Sequence, residues 1–368
     1  MIAIQEVRDF EAFEALRDEW NDLARRGGAD LPYARHEWIA AWWEGFGGGA
    51  HLEMLLLREG GDLVAAAPLM RSRRTLAGLP VRALHSPGLN LGVSGILLAR
   101  PNAEIAGRLL DEALSLGGFD ALILQGAAAG GPLADLVSSH LVGRRVRFEE
   151  RPHGEIFVDT SAGPEAYRRA RSTKFWSNAR NRAKRLEAAG PVSFERARTP
   201  TDLAPALEEA FAVSRRSWKG RQGTAIGGRE DHRAFFRALV RRFGLSGECE
   251  VALLRVSGDA VAYRIGLRQG ELFLECDIAF DEARRAFSPG TLLGIRSNEA
   301  LLAEGVTEIN LGMDFPWKQE WSPSRRERLE WIVYPAGHPY SPVLRAARAL
   351  QGRFRRGPQA GARVDRPT

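Results

Sequence analysis

Two segments of the chain repeat one another without a gap. Leu56-Leu57-Arg58-Glu59-Gly60-Gly61-Asp62-Leu63-Val64-Ala65 lies over Leu253-Leu254-Arg255-Val256-Ser257-Gly258-Asp259-Ala260-Val261-Ala262, with seven of ten positions identical at a constant offset of 197 residues. Each copy reads as strand, Gly-Asp turn, strand, the pattern of a β-hairpin. Fainter echoes follow at similar spacing: Ser86-Pro87-Gly88 with Ser288-Pro289-Gly290, and the short apolar runs Phe119–Leu124 and Val306–Leu311. A period near 200 residues is too long for a solenoid and implies two copies of one α/β domain. A length of 368 residues is ample for two cores.

Composition narrows the function classes. The net charge of +6 suggests a nucleic-acid partner until its position is located. From Ser341 to the end there are seven arginines, among them Arg345, Arg348 and Arg353, and one acid, Asp365; the rest of the chain holds 45 basic and 45 acidic residues. A neutral body lacks the broad basic face that phosphate neutralisation needs, so nucleic acid is not the expected partner. The tail, residues 341–368, reads as a short helix with a disordered end that could meet an acidic membrane surface. The charged N-terminus does not resemble a secretion signal, and the longest uncharged run, Ala83–Ala99, is interrupted by Pro87 and Asn90. These features predict a cytoplasmic protein, peripheral to the membrane at most. Cys249 and Cys276 form no disulfide framework, and the seven histidines have no metal spacing.

Inside the neutral body lies one basic island, Arg168–Arg185, with eight positive residues and no acid. Ala166, Ala170, Thr173, Trp176, Ala179, Ala183 and Leu186 recur at steps of three and four, predicting one amphipathic helix from Pro164 to Gly190. It reads either as a solvated face or as a basic wall beside an anionic ligand. Beyond it the pattern predicts a strand Val192–Arg196, helices Thr201–Trp218 and Arg229–Phe243, a hairpin Cys249–Leu267 and a strand Leu272–Ile278. A helix Thr291–Glu304 and strands Val306–Leu311 and Leu329–Tyr334 complete it. The first copy opens with a strand Ile2–Val7 and helices Phe10–Arg25 and Arg35–Phe46. The expected class is α/β (α+β): tandem domains over 1–160 and 161–340, each a mixed, mostly antiparallel sheet flanked by helices.

The strand–loop–helix passage around Arg285-Ala286-Phe287-Ser288-Pro289-Gly290 directs a helix N-terminus, with its free N–H groups and positive dipole end, at one point. The spacing R-x-x-S-x-G resembles the coenzyme A loop, Q/R-x-x-G-x-G/A, of the GCN5-related N-acetyltransferase (GNAT) superfamily, with Ser288 and Pro289 as departures. Downstream, Gly312-Met313-Asp314-Phe315-Pro316-Trp317-Lys318-Gln319-Glu320-Trp321 resembles the ending of a two-domain branch, a glycine followed within a few residues by Y-K-x-x-W/F. That branch includes the cellulose-biosynthesis acetyltransferases of the CelD/BcsL type and, more distantly, the Fem aminoacyl transferases; Trp317 stands for its usual Tyr. The helix Ser172–Leu186 is similar to the same branch's basic helical region, which opens on a Ser and closes on R-L.

The resemblance implies tandem GNAT domains and an acetyl-CoA or other acyl-CoA co-substrate, with no metal. Its diphosphate would be held over Arg285, Ser288, Pro289, Gly290, Thr291 and Leu292, and its thioester would lie between the strands Leu272–Ile278 and Val306–Leu311. Direct attack by an amine needs positioning, a proton acceptor and oxyanion stabilisation. Glu275 and Asp277, expected on one strand face by period two, and Asp314 after the second strand are the candidate bases. Lys318 is placed by resemblance at the acyl carbonyl or an anionic acceptor group, and Lys174, Arg180 and Trp317 are expected along the acceptor. The first domain, whose Ser86-Pro87-Gly88 precedes a glycine-rich run rather than a helix, is expected to shape the acceptor cleft without binding the co-substrate. The expected activity is N- or O-acylation of a sugar, polysaccharide or envelope precursor. A Fem-type aminoacyl-tRNA-dependent transferase and an inactive scaffold of a polysaccharide-synthesis complex are the alternatives.

Overall fold

A computed structural model describes residues 2–28, 31–88, 95–322 and 324–356, with backbone alone for 350–356. The described residues divide into two compact units, one drawn from 1–39, 47–154 and 327–356, the other from 40–46 and 155–326. The chain thus crosses at Gly154/Glu155 rather than at 160/161, and it returns to the first unit after Arg326. Among the described residues no helix is long and apolar enough to cross a membrane.

The second unit is built on a sheet in the order Val192–Ala197, Cys249–Val256, Asp259–Gln269, Leu272–Phe280, Glu308–Met313 and the end of Arg147–Asp159. All neighbours are antiparallel except Leu272–Phe280 and Glu308–Met313, which run parallel around the helix Pro289–Ala303. The repeated hairpin supplies its central strands, and their two-sided burial explains the near-continuous apolar run of Cys249–Val256. On one face Leu292 and Leu293 of the helix Pro289–Ala303 pack with Ala252, Leu254 and Ala262. The helix Pro200–Arg216 lies against the hairpin strands; Pro200 occupies its first turn and the Thr199 hydroxyl accepts from the Asp202 N–H at 3.3 Å.

The basic island is two helices, not one. Gly163–Arg169 ends at Ala170, and Ser172, in extended conformation, caps Thr173–Ala188 by accepting from the Phe175 N–H at 3.1 Å. A serine cap competes with helix continuation, so Ala166 and Ala170 leave the stripe that Trp176, Ala179, Ala183 and Leu186 continue. The expected helix Phe10–Arg25 is likewise divided, into Phe10–Glu14 and Arg17–Arg26.

In the first unit the strands Ile2–Val7, Met54–Glu59, Asp62–Ala67 and Leu97–Leu98 form one sheet. Another carries Ala121–Ala128 parallel to Leu79–His85, repeating the parallel pair of the second unit. The strand expected at Leu329–Tyr334 is found within Arg325–Tyr334, but it pairs with Ala121–Ala128, Trp331 opposite Leu124 and Ile332 opposite Ile123. Its apolar residues face two ways. Leu329, Trp331 and Val333 enter one core cluster of this unit, and Ile332 and Tyr334 another. The first unit's helix Ala103–Ser115 begins fifteen residues after Gly88, whereas in the second unit Pro289 opens a helix directly after Ser288. The residues 89–94 lie outside those described, as does the end of the Arg-rich tail; its helix Ser341–Arg356 sets Arg348 on Glu149 at 2.8 Å.

Gly266 has no room for a side chain: a Cβ there would stand 2.0 Å from the Phe273 ring. Gly266→Ala is therefore expected to lower the unfolding free energy by about 1–3 kcal/mol, read as a reduced denaturant midpoint with an unchanged slope.

Candidate active site

The two parallel strands share only three rungs, Leu272, Phe273 and Leu274 opposite Glu308, Ile309 and Asn310. Past that level both strands are bulged. In Glu308–Met313 the register slips between Asn310 and Gly312; Gly312 has φ +74°, and the Asn310 Oδ1 accepts its N–H at 2.7 Å while Nδ2 donates to Glu155 at 2.9 Å. In Leu272–Phe280 the slip falls at Cys276, so that Gly266 faces Glu275 and Ile265 faces Asp277. A bulge bends its strand and leaves one residue unpaired. Two at one level open a mouth between strands that were paired one rung earlier.

The Cys276 bulge corrects one expectation. Glu275 and Asp277 do not share a face; each contacts one of the neighbours Tyr263 and Arg264, which alternate across the adjacent strand. Glu275, 6% exposed, stands 3.0 Å from the Arg264 guanidinium, itself 1% exposed. Arg264 continues to Asn298 Oδ1 at 2.7 Å, and Asn298 donates to the Tyr167 hydroxyl at 3.1 Å. Asp277 takes the Lys219 ammonium, the Tyr263 hydroxyl at 3.0 Å and the Ile278 N–H at 2.9 Å. Burial, aided by the Asp277 charge, holds the Tyr263 phenol well above its ordinary value. Both carboxylates are thus committed to cations. Asp314 is too, 3.1 Å from Arg325 and accepting from Gln319 at 3.0 Å.

Lys318 differs from them. It is 8% exposed, and its ammonium donates to the carbonyl of Leu311, the residue in the strand bulge. The rings of Trp317 and Phe315 lie 5.3 and 5.4 Å from Nζ, and no carboxylate within ion-pair distance of it is found among the described residues. Burial pushes its pKa below the ordinary lysine value of 10.5; Glu275 and Asp277 oppose that shift and the Lys219 charge adds to it. Trp317 is half-buried beside it.

The loop below the mouth ends in a left-handed residue. Ser288 has φ +48° and ψ +54°, which turns the short 3-10 segment Glu282–Phe287 into the helix Pro289–Ala303. Thr291 and Leu292 donate their N–H groups back to the Ser288 carbonyl at 3.0 and 3.2 Å, and Pro289 has none. That leaves Gly290 as the first-turn N–H without a partner among the described residues. A Cβ on Gly290 would stand 3.0 Å from the Phe280 ring, so a side chain there would crowd that cradle. Leu292 is buried in the core and is not presented to a ligand. Arg285 lies 3.6 Å from Glu282, and Arg185 stacks 5.6 Å from the Phe287 ring, bringing the basic helix against this loop. Lys174 and Arg180 are exposed on the same helix. Phe175, beside Lys174, meets Trp321 edge-on at 5.8 Å.

The mouth therefore holds Glu275, Asp277 and Lys318, with the Ser288–Gly290 turn at the end of one of its strands. Sequence reasoning missed Arg264, Tyr263 and Lys219. Arg264 carried a signal, a lone cation in the apolar run Ala260–Leu267; Lys219, in a one-turn helix Trp218–Arg221, carried none.

Residues 173–319 match the family described as Acetyltransferase (GNAT) domain. The chain carries a GNAT-fold acyltransferase domain. No curated protein is similar in sequence. Among solved structures, FemX is similar over 83% of this chain and 93% of its own, at 11% identity and a TM-score of 0.57. The C-terminal domain of a protein described as a lysylphosphatidylglycerol synthetase from Agrobacterium fabrum is similar over 93% and 96%, at 14% identity and a TM-score of 0.55. A tandem GNAT protein from the clavulanic acid biosynthesis pathway is similar over 90% and 98%, at 13% identity and a TM-score of 0.53. The mixed α/β fold of this chain is thus that of tandem GNAT proteins.

Asp277→Asn should cost about 3 kcal/mol in equilibrium unfolding, because Lys219 keeps its buried charge and loses its partner; adding Lys219→Met should recover most of that loss. A second expectation concerns pH. A lysine whose native pKa is lowered disfavours the folded state while it stays charged, and that penalty is relieved as pH rises toward 10.5. The wild type should therefore gain stability relative to Lys318→Met over that rise, measured as the difference between their denaturant midpoints.

Proposed function

We propose that the second unit transfers an acyl group from an acyl-CoA thioester, acetyl-CoA among them, to an amine or hydroxyl of a sugar, polysaccharide or envelope precursor. One observation carries the reading: the parallel strands part after three rungs, at a mouth that holds a buried lysine, beside a left-handed turn feeding a helix N-terminus. A thioester arm can enter such a mouth and pair with strand edges that no longer pair with each other. The diphosphate then meets the Gly290 N–H, the helix dipole and the cations Arg285 and Arg185. Ser288 and Pro289 shape the turn, and Thr291 borders it.

The acceptor nitrogen or oxygen bonds to the acyl carbon, the carbon–sulfur bond breaks, and the thiolate of coenzyme A leaves. Lys318, in the neutral form that burial favours, takes the acceptor's proton. It is preferred to Glu275, Asp277 and Asp314 because each of those carboxylates is already engaged by a cation, whereas Lys318 is not engaged by a carboxylate among the described residues. Glu275 and Asp277 then hold Arg264 and Lys219 in place and temper the field at Lys318. Lys174, Arg180 and Trp317 border the acceptor's path.

A second reading is transfer from an aminoacyl-tRNA, favoured by the fold's likeness to FemX and to the lysylphosphatidylglycerol synthetase domain. The resemblance to the CelD/BcsL type, the neutral body and the helix-terminal turn favour the thioester. By this account the Arg-rich tail faces an acidic membrane surface from the cytoplasm.

Titration calorimetry with acetyl-CoA and longer acyl-CoA esters should give saturable binding. Lys318→Met should keep that binding within a few-fold while the transfer rate falls by about 100-fold or more, the range for loss of a proton acceptor. Silence with every thioester, together with co-purifying tRNA that high salt removes, would shift the assignment to the second reading.

A further inference from the structure

Away from the strand mouth, the second unit contains a buried cation with no counter-ion among the described residues. Arg171 sits between the helices Gly163–Arg169 and Thr173–Ala188 and is 7% exposed. Its Nη atoms donate to two backbone carbonyls, Tyr167 at 2.7 Å and Trp321 at 2.6 Å, and its Nε has no hydrogen-bond partner among the described residues. The guanidinium lies 4.0 Å from the Tyr167 ring and 5.7 Å from that of Trp321. Among the described residues no carboxylate comes within ion-pair distance of it. By contrast the comparably buried Arg264 pairs with Glu275, and Arg196 pairs with Glu250 and Glu304. An uncompensated cation at this depth is costly, and burial accordingly depresses its pKa.

Arg171 also lines an open cavity of about 230 Å³. Ala162, Ala166 and Ala170, four residues apart, form one wall with small side chains, and Trp321 and Ser322 form another. Asp159, the one acid on the lining, is exposed and already accepts from the Ser161 N–H at 2.9 Å and its hydroxyl at 2.6 Å. The volume suits a molecule smaller than a drug-sized ligand. We propose that this cavity is a binding site for a small organic anion whose carboxylate or phosphate group rests on Arg171 and whose apolar part lies along the alanines and Trp321. The missing counter-charge is the ligand's. The site adjoins the lysine turn, since the Trp321 N–H is bonded to the Lys318 carbonyl at 2.9 Å. It does not depend on the acyl-transfer reading.

The test is titration calorimetry of the full chain with inorganic phosphate and, separately, with succinate, at constant ionic strength set by chloride. Saturable binding of either is expected, and which of the two binds more tightly identifies the anion's class. Ala166→Leu, which fills the cavity and leaves Arg171 in place, should weaken that binding at least tenfold, with the wild-type thermal midpoint as its folding control. Arg171→Met should abolish it where the variant remains folded; Ala166→Leu decides the matter if it does not. Absence of binding by both anions, or binding that Ala166→Leu leaves unchanged, as it would if phosphate sat at the Gly290 turn, overturns the proposal.

Discussion

The acyl transfer proposed for this chain depends on a parallel ladder that stops early. Three rungs join Leu272–Leu274 to Glu308–Asn310, and then each strand absorbs an extra residue, at Cys276 and at Leu311. A continued ladder would satisfy the backbone groups and leave nothing for a ligand. Parting the strands exposes those groups inside an otherwise closed sheet, and the surrounding structure fixes the opening. Asn310 ties the bulged Gly312 to the Glu155 strand, while Gly266 leaves room for the Phe273 ring.

The charges around that opening follow one pattern. Arg264 is matched by Glu275, Lys219 by Asp277, and Arg326 by Glu155 and Glu308. Matching buried charges offsets their desolvation and occupies the carboxylate oxygens at the same time. Lys318 and Arg171 are left with carbonyls and aromatic rings instead. Such residues are destabilising for the fold taken alone, which directs attention to what they bind.

Much of this was legible in the sequence, for definite reasons. The hairpin copies at Leu56 and Leu253 announced the duplicated fold because turn chemistry and strand alternation are local. The Ser288–Gly290 turn and the helix after it were readable for the same reason. The bulge at Cys276 was not: one unpaired residue leaves composition and periodicity intact yet sends Asp277 to the face opposite Glu275. Nor was the return of Leu329–Tyr334 to the first unit, since a strand buried on both faces states that it is central without naming its neighbours. The break at Ala170–Ser172 was available in principle, as a serine cap within the basic run, but the alanine spacing on both sides concealed it. The cations that hold Glu275 and Asp277 are brought to them by tertiary folding.

The most direct measurement of the central claim is backbone hydrogen exchange with and without coenzyme A. If the strands part to admit the co-substrate, saturating coenzyme A should slow exchange at the N–H groups of Cys276–Phe280 and of Gly290. Unchanged exchange at both places, with coenzyme A bound elsewhere or not at all, would contradict it.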